Sequence, residues 1–254
     1  MGGAKGTVNL RMDESVDGLW QRIQRVALPP HCLLCGANGA ARDLCAACAA
    51  DLIRNRICCP RCALPLTSPA PLCGECLLRA PPFEATFAPF AYAHPLDLLL
   101  TRLKFGRNLA AGRVLSELWL DMFDDTPPAR PDLLIAVPLH PSRLRDRGYN
   151  QALELAKPLA RALQIPLAET LLSRTRATPA QANLDAVTRR QNLRGAFEFD
   201  AQALPDRKLS TLHVALVDDV MTTGATLREC ARLLRRAGVG RVDAWAFARA
   251  PKSR

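Results

Sequence analysis

The stretch Val214-Ala-Leu-Val-Asp-Asp-Val-Met-Thr-Thr-Gly-Ala-Thr226 decides the fold of this chain. Its apolar first half predicts a buried strand, and the residues after Thr226 have the apolar spacing of a helix. Strands that alternate with helices are typical of a mostly parallel sheet covered on both faces. Ligands of such sheets bind at the carboxyl ends of the strands, so the turn around Gly224 is the first candidate site.

This turn has the residue types of a phosphate site. Successive backbone N–H groups at a helix start bind phosphate oxygens, helped by the partial positive charge of the helix. The predicted phosphate-binding residues are Thr222, Thr223, Gly224, Ala225 and Thr226. Thr226 and Glu229 fit a capping box. The turn lacks the Gly-Lys-Ser/Thr ending of a Walker A loop and the G-x-G-x-x-G of a dinucleotide fold.

Two acidic residues precede the turn. Asp218 and Asp219 are expected at the carboxyl end of the strand, facing solvent, where they can accept hydrogen bonds from the two hydroxyls of a ribose. The alternative interpretation is a tight turn with incidental acids.

Further strands and helices alternate between residue 81 and the end of the chain. The predicted strands are 87–92, 133–137, 171–173, 212–217 and 242–247, and the predicted helices are 96–105, 113–123, 150–163 and 226–237. Arg143, Arg145 and Arg147 follow the carboxyl end of strand 133–137, where they can bind a phosphorylated ligand. A solvated basic loop is the alternative. Only seven residues follow Phe247, so we expect any acceptor to be recognised before Leu133 or by the cysteine-rich segment, although neither shows an evident set of base-reading residues.

Nine of the ten cysteines lie between residues 31 and 80, and eight of them form four Cys-x-x-Cys pairs. Two such pairs close a tetrahedral zinc site with no open position. The predicted ligands of two structural Zn²⁺ ions are Cys32, Cys35, Cys45, Cys48, Cys59, Cys62, Cys73 and Cys76. In the simplest assignment the first four of these cysteines bind one ion and the last four bind the other. A cross-braced assignment is the alternative. Cys58 and His31 are interpreted as bystanders, with replacement of a neighbouring ligand as the alternative, and Cys230 is interpreted as a core residue.

We expect zinc removal to unfold residues 29–80 and to leave the α/β domain folded. The predicted organisation is therefore an amphipathic helix within residues 1–28, a double zinc ribbon at 29–80 and an α/β domain at 81–254.

Charge and composition narrow the function further. Basic residues exceed acidic ones by 10, and 29 of the 34 basic residues are arginine, which favours phosphate-bearing partners or reflects an arginine-rich composition alone. No run of about 20 apolar residues is present, so membrane insertion is not expected. The first 30 residues lack the apolar region of a secretory signal, which predicts a cytoplasmic protein in which paired cysteines bind metal.

Two motifs resemble known families. Residues 214–226 are similar to the phosphoribosyl pyrophosphate (PRPP) signature of type I phosphoribosyltransferases. The segment VPLHPSRLRDRGYNQA at 137–152, together with the four cysteine pairs, resembles the ComF/GntX family of competence-associated proteins. The resemblance covers about residues 29 to 249, and it implies a type I phosphoribosyltransferase-like α/β fold after the double zinc ribbon.

The resemblance also implies roles for residues. Asp218 and Asp219 hold the ribose hydroxyls, the turn at 222–226 holds the 5′-phosphate, and PRPP enters with Mg²⁺. Leu139, His140, Arg143 and Arg147 lie near the pyrophosphate, while Gln181, Arg189 and Asn192 belong to a flap within the polar segment 178–194. His140 is a candidate general acid, although a single histidine is more often structural.

Two functions agree with these features. In the first, the chain binds PRPP or a related ribose phosphate and is linked to DNA uptake, with single-stranded DNA and uptake-machinery proteins as partners. In the second, it is an active transferase. In a transferase, the aspartates stabilise the ribose, the arginines stabilise the departing pyrophosphate, and the acceptor resembles a nucleobase.

Overall fold

The computed structural model describes residues 30–38, 42–176, 193, 195–204 and 207–252 of the chain. The helix predicted within residues 1–28 lies outside these residues and stays a prediction. No helix in the described part of the chain is both long enough and apolar enough to cross a membrane.

The described chain forms eight strands and seven α-helices. The strands are β1 (Thr86–Phe87), β2 (Phe90–Ala91), β3 (Leu133–Ala136), β4 (Leu167–Ala168), β5 (Leu172–Arg174), β6 (Phe197–Phe199), β7 (His213–Met221) and β8 (Arg241–Arg249). The helices are α1 (Ala46–Ala50), α2 (Gly74–Leu78), α3 (Leu96–Phe105), α4 (Leu109–Asp125), α5 (Pro141–Arg147), α6 (Gln151–Leu163) and α7 (Ala225–Arg236).

The main sheet is parallel throughout, with the strand order β1-β8-β7-β3-β4 and with β2 also paired to β8. Helix α7 packs on one face, and α3, α4 and α6 pack on the other. The predicted α/β fold with a mostly parallel sheet is therefore confirmed. The strand predicted at 171–173 corresponds to β5, which instead pairs antiparallel with β6 outside the main sheet.

Local signals explain most of the helix boundaries. In α3 the buried residues Leu96, Leu99, Leu100 and Leu103 recur at helical spacing. Helix α6 begins where the side chain of Asn150 accepts a hydrogen bond from the N–H of Ala152 at 3.1 Å. The seven-residue helix α5 was not predicted, because its alternating charges leave no apolar face that a sequence pattern could reveal.

Strand β7 runs farther than its apolar pattern predicts. The prediction ended it at Val217, but β7 pairs with β8 as far as Met221 opposite Arg249. The long parallel partner supplies hydrogen bonds to residues whose side chains are acidic. Asp218 and Asp219 therefore lie within the strand rather than in the loop beyond it.

Candidate functional site

The eight paired cysteines form two groups, and within each group the sulfur atoms all lie within 4.8 Å of one another. The first tetrad consists of Cys32, Cys35, Cys45 and Cys48, and the second consists of Cys59, Cys62, Cys73 and Cys76. This grouping is the sequential one. Four thiolates at this spacing suit a closed tetrahedral zinc site, so both tetrads fit a structural ion.

One cysteine in each tetrad has a thiol pKa below the usual value. Burial opposes ionisation of Cys32 and Cys59, but backbone N–H donors lower the pKa of Cys32 to about 6 and that of Cys59 to about 7. The N–H of Cys73, for example, donates to Sγ of Cys59 at 3.3 Å. Because the thiolate is the form that binds zinc, these donors favour the metal-bound state.

The remaining cysteines stay outside the tetrads, as interpreted from the sequence. Cys58 is half-buried beside the second tetrad, and burial raises its pKa. Cys230 lies fully buried in α7, where burial raises its pKa strongly. Among the described residues, neither thiol belongs to a metal-binding group, and His31 forms a backbone bridge with Asn38 outside both tetrads.

The turn between β7 and α7 has the backbone form that a phosphate site needs. Gly224 has φ +70°, and a Cβ at this position would lie 2.6 Å from Cε of Met221, so only glycine fits without displacing that side chain. The hydroxyl of Thr223 accepts a hydrogen bond from the N–H of Ala225 at 3.3 Å. We call residues 222–226 the phosphate loop.

The predicted capping box is wrong. Helix α7 begins at Ala225 with Gly224 as its N-cap, and no side chain caps it. Glu229 instead accepts a hydrogen bond from the N–H of Gly195 at 3.2 Å and pairs with Arg232. The N–H of Ala225 is bonded to the Thr223 hydroxyl, but no N-cap side chain occupies the N–H groups that follow it in α7, which suits an anion site.

Asp219 is more enclosed than the sequence suggests. Its side chain is only 7% exposed, and Oδ2 lies 2.8 Å from Nζ of Lys104, as an ion pair without a directed hydrogen bond. Oδ1 accepts from the N–H of Val220 at 2.7 Å. The expectation that both acids face solvent is therefore wrong for Asp219, because β7 continues past it and α3 brings Lys104 over it.

Asp218 has an unusual protonation equilibrium. Burial, and next the neighbouring carboxylate of Asp219, raise the pKa of Asp218 to about 8. Its Oδ1 accepts from the N–H of Asp219 at 2.9 Å. The raised pKa favours the protonated form of Asp218 in the ligand-free site, and a bound cation would favour the ionised form.

A cleft of about 800 Å³ opens beside these acids. Seven of the predicted site residues line it, namely Leu139, Arg143, Arg147, Asp218, Asp219, Thr222 and Thr226. Thr223, Gly224 and Ala225 form the backbone of the phosphate loop behind this lining. The structure thus brings the predicted ribose, phosphate and pyrophosphate residues to one cavity.

His140 does not line the cleft. Its ring nitrogen Nδ1 accepts from the N–H of Ser142 at 3.2 Å and lies 2.7 Å from the Ser142 hydroxyl, so it caps the start of α5. The flap residues Gln181, Arg189 and Asn192 lie outside the described residues.

Several residues that the sequence analysis missed line the same cleft. Lys104, Phe105 and Arg107 come from the end of α3 and the turn after it, Gln151 from the start of α6, and Arg174 from β5. No local pattern distinguishes them, because α3 reads as an ordinary amphipathic helix. The predicted origin of acceptor contacts before Leu133 is the one clue that pointed towards α3.

Comparisons with known proteins agree with both parts of the chain. The family described as "Double zinc ribbon domain" matches residues 23–77, and the family described as "Phosphoribosyl transferase domain" matches residues 150–254. The DNA utilization protein YhgH of Escherichia coli K12 is 35% identical over 230 residues, which cover 88% of this chain and 99% of that protein. Competence protein F of Haemophilus influenzae is 36% identical over 226 residues, 87% of this chain and 97% of that protein.

Among solved structures, adenine phosphoribosyltransferase from Thermoanaerobacter pseudethanolicus matches 56% of this chain and 82% of its own. The TM-score is 0.34 and the sequence identity 17%.

Proposed function

This chain belongs to the ComF/GntX family, together with YhgH and competence protein F, and from that premise we propose that it binds PRPP or a related ribose phosphate with Mg²⁺ in the service of DNA uptake. The family relatives carry the names "DNA utilization protein" and "Competence protein F". The phosphoribosyltransferase domain makes a phosphorylated ribose the natural ligand class.

One observation carries the proposal: the phosphate loop, the two acids and the arginines of α5 meet in one cleft. The loop offers N–H groups to the 5′-phosphate. Asp218 and Asp219 offer carboxylate oxygens to the ribose hydroxyls, and Arg143 and Arg147 offer guanidinium groups to the pyrophosphate. Each partner is matched to its group by charge and hydrogen-bonding type.

Magnesium fits the same residues. Mg²⁺ is bound by carboxylates and by substrate phosphates, and the only acids of the described chain that line the cleft are Asp146, Asp218 and Asp219. When bound, the ion neutralises part of the pyrophosphate charge. It would also favour the ionised form of Asp218.

Calorimetry tests the binding proposal directly. We expect PRPP to bind the full chain in the presence of Mg²⁺ and Arg143→Gln with Arg147→Gln to weaken binding by about a hundredfold, since each charged hydrogen bond contributes about 1.5 to 3 kcal/mol. Arg161→Gln removes an exposed arginine of α6 outside the cleft and serves as the matched control. Absence of PRPP binding by the wild-type chain would refute the proposal.

Transferase activity is the second candidate function, and the size of the cleft favours it. In this reaction the bond between C1 of the ribose and the pyrophosphate oxygen breaks, and pyrophosphate leaves with the electron pair. A bond from C1 to an acceptor nitrogen forms, and that nitrogen loses its proton to water. Arg143 and Arg147 would stabilise the charge on the leaving group. Pyrophosphate release with a panel of nucleobases tests this, and no release with any acceptor would leave the binding function alone.

Single-stranded DNA is the proposed macromolecular partner, in a cytoplasmic setting. A net charge of +10 supports weak binding without sequence preference. Affinity should fall with salt, with a log-log slope of about −0.7 for each phosphate contacted. No binding to an oligothymidylate at about 50 mM salt would rule out this partner.

A further inference from the structure

Phe105 is an exposed aromatic residue inside the cleft. It ends α3 and is 73% exposed. A single exposed apolar side chain on a protein surface is ordinary. Phe105 differs because its side chain lines the ligand cavity rather than the outer surface.

Arg147 forms a cation–π contact with the ring of Phe105. The Cζ atom of Arg147 lies over the ring, 5.4 Å from its centroid, and Nη1 of Arg147 donates to Oε1 of Gln151 at 2.5 Å. Gln151 is buried, so this hydrogen bond restricts the positions that the guanidinium can take. A cation–π contact of this kind orients the aromatic group.

The residue before Phe105 contacts one of the proposed ribose-binding residues. Lys104 precedes it in the chain and pairs with Asp219, so the end of α3 meets the proposed ribose residues directly. Arg107, with φ +49°, returns the chain to the cleft and donates to the carbonyl of Asp146 at 3.4 Å. An aromatic ring next to a guanidinium group is a combination that binds nucleic-acid bases by stacking.

From this arrangement we propose that Phe105, oriented by Arg147, forms a stacking platform for a planar nucleobase, either free or within a single strand. The platform rests on the proposed function, because a base held there would lie beside a ribose phosphate bound at Asp218 and Asp219. It supplies the acceptor contacts that the sequence did not reveal.

The test is equilibrium binding of adenine, guanine, uracil and cytosine, and of oligothymidylate, to the full chain with and without PRPP and Mg²⁺. We expect Phe105→Ala to weaken base binding by about tenfold or more, Phe105→Trp to retain it, and both variants to bind ribose 5-phosphate as the wild type does. Leu109→Ala, an exposed apolar residue of α4 outside the cleft, is the matched control.

The outcomes separate the two proposals. If no base or oligonucleotide binds, or if Phe105→Ala binds them as the wild type does, the platform is refuted, whatever PRPP does. If PRPP fails to bind but base binding depends on Phe105, the platform stands and the ribose phosphate proposal falls. Free bases and oligothymidylate in separate arms identify the source of the base.

A second inference concerns Arg249 and does not depend on Phe105 or the other residues that line the cleft. Arg249, at the end of β8, is 5% exposed, and its described hydrogen bonds all end on main-chain carbonyls. Its Nε donates to the carbonyl of Cys62 at 3.0 Å, and Nη1 donates to the carbonyls of Met221 at 2.9 Å and of Thr222. Burying a guanidinium is costly, so its partners are closely specified.

These carbonyls belong to two different functional parts. Cys62 is a member of the second tetrad, whereas Met221 ends β7 and Thr222 begins the phosphate loop. One side chain thus joins a zinc ligand to the backbone that turns into the loop. The geometry points to Arg249 as a positioning residue through which the second zinc ribbon fixes the phosphate loop.

Arg249→Lys tests this, because lysine keeps the charge but lacks the fork that reaches both sets of carbonyls. Arg241→Lys, at the other end of the same strand, is the control; Arg241 pairs with Asp243 away from the cleft. We expect Arg249→Lys to bind ribose 5-phosphate about tenfold more weakly and to speed amide hydrogen exchange at residues 222–226 and 59–76 together.

Arg241→Lys should leave the affinity for ribose 5-phosphate unchanged. Any faster amide exchange in this variant should be spread evenly over the chain, as expected from lower overall stability. Equal loop exchange in the two variants would overturn the positioning role, and so would loop exchange in Arg249→Lys that matches the wild type. The exchange measurement does not depend on ligand binding, so it holds even if the ribose phosphate proposal fails.

Discussion

The two zinc tetrads have the same Cys-x-x-Cys spacing but lie in different surroundings. In the first, only Cys32 is buried and Cys35 is exposed. All four cysteines of the second are at most 5% exposed and pack with the sheet residues of the face that carries α7. Identical metal-binding motifs can therefore contribute very differently to the fold.

Each ribbon also supports a different side of the cleft. Arg102 of α3, the helix that supplies Lys104 and Phe105, donates to the carbonyl of Leu33 in the first ribbon. The second ribbon contacts the phosphate loop through Arg249 and the start of β1 through the hydrogen bond from the N–H of Thr86 to the carbonyl of Pro60. The acids Asp218 and Asp219 lie where the two sides meet.

Loss of one tetrad at a time should produce the largest difference. We expect Cys62→Ser to lose one zinc and most of the stability of the chain, since structural zinc contributes about 10 to 16 kcal/mol in small finger peptides and this tetrad is part of the core. Cys35→Ser should also lose one zinc but keep a cooperative unfolding transition. Metal analysis and thermal unfolding by circular dichroism measure both.

This contrast revises the expectation that zinc removal leaves the α/β domain intact. The expectation treated residues 29–80 as a separate unit, whereas the second tetrad shares a core with β3, β7 and β8. Similar stability losses for Cys35→Ser and Cys62→Ser would break the comparison between the ribbons.

The next largest effect should be on PRPP affinity and should come from Asp218 and Asp219, which lie between the two sides of the cleft. We expect Asp218→Asn with Asp219→Asn to lower PRPP affinity by about a hundredfold or more, because amides accept weaker hydrogen bonds and no longer attract Mg²⁺. Asp97→Asn, an acid of α3 outside the cleft, should bind normally. Wild-type affinity in the double variant, measured by calorimetry, would remove the ribose assignment.

The single substitutions should change stability in opposite directions at pH 7. Asp219→Asn leaves Lys104 without its carboxylate, so we expect a lower melting temperature. Asp218→Asn replaces a carboxyl that resists ionisation and should raise it.

A smaller effect is the pH dependence of ligand-free stability. Because the pKa of Asp218 is about 8 in the folded chain and about 3.9 in an unfolded one, the folded state binds more protons between these values. Stability from this group should therefore fall as pH rises from 6 to 8, by at most about 1.4 kcal/mol per pH unit. Denaturant titrations should show a flatter profile for Asp218→Asn, and parallel profiles would contradict the raised pKa.

The smallest effect should come from the surface contact of the first ribbon. Arg42 lies 2.7 Å from Asp121 of α4, but the two side chains are 33% and 55% exposed. We expect Arg42→Ala to cost less than about 1 kcal/mol, because solvent screens exposed ion pairs. A double-mutant cycle with Asp121→Ala that measured several kcal/mol would show that this ribbon is held as firmly as the second.

Short-range patterns account for what was predictable. The four cysteine pairs, the apolar strand before two acids and the small-residue turn are each contiguous, so their chemistry follows from residue type and spacing. The capping box failed because Gly224 set the start of α7 one residue earlier. Strand β7 was predicted too short because its length depends on β8, which lies 20 residues farther along the chain.

The sequence by itself determined the parallel α/β fold, the double zinc ribbon and the small-residue turn at residues 222–226. Only the tertiary structure decided that Lys104 pairs with Asp219, that Arg249 joins Cys62 to Met221, and that the second tetrad is buried while the first is not. The physical reason is separation along the chain. Local patterns set backbone conformation within a few residues, whereas these contacts require side chains far apart in sequence to meet, and the order of the strands and the packing of both sheet faces determine which of them do.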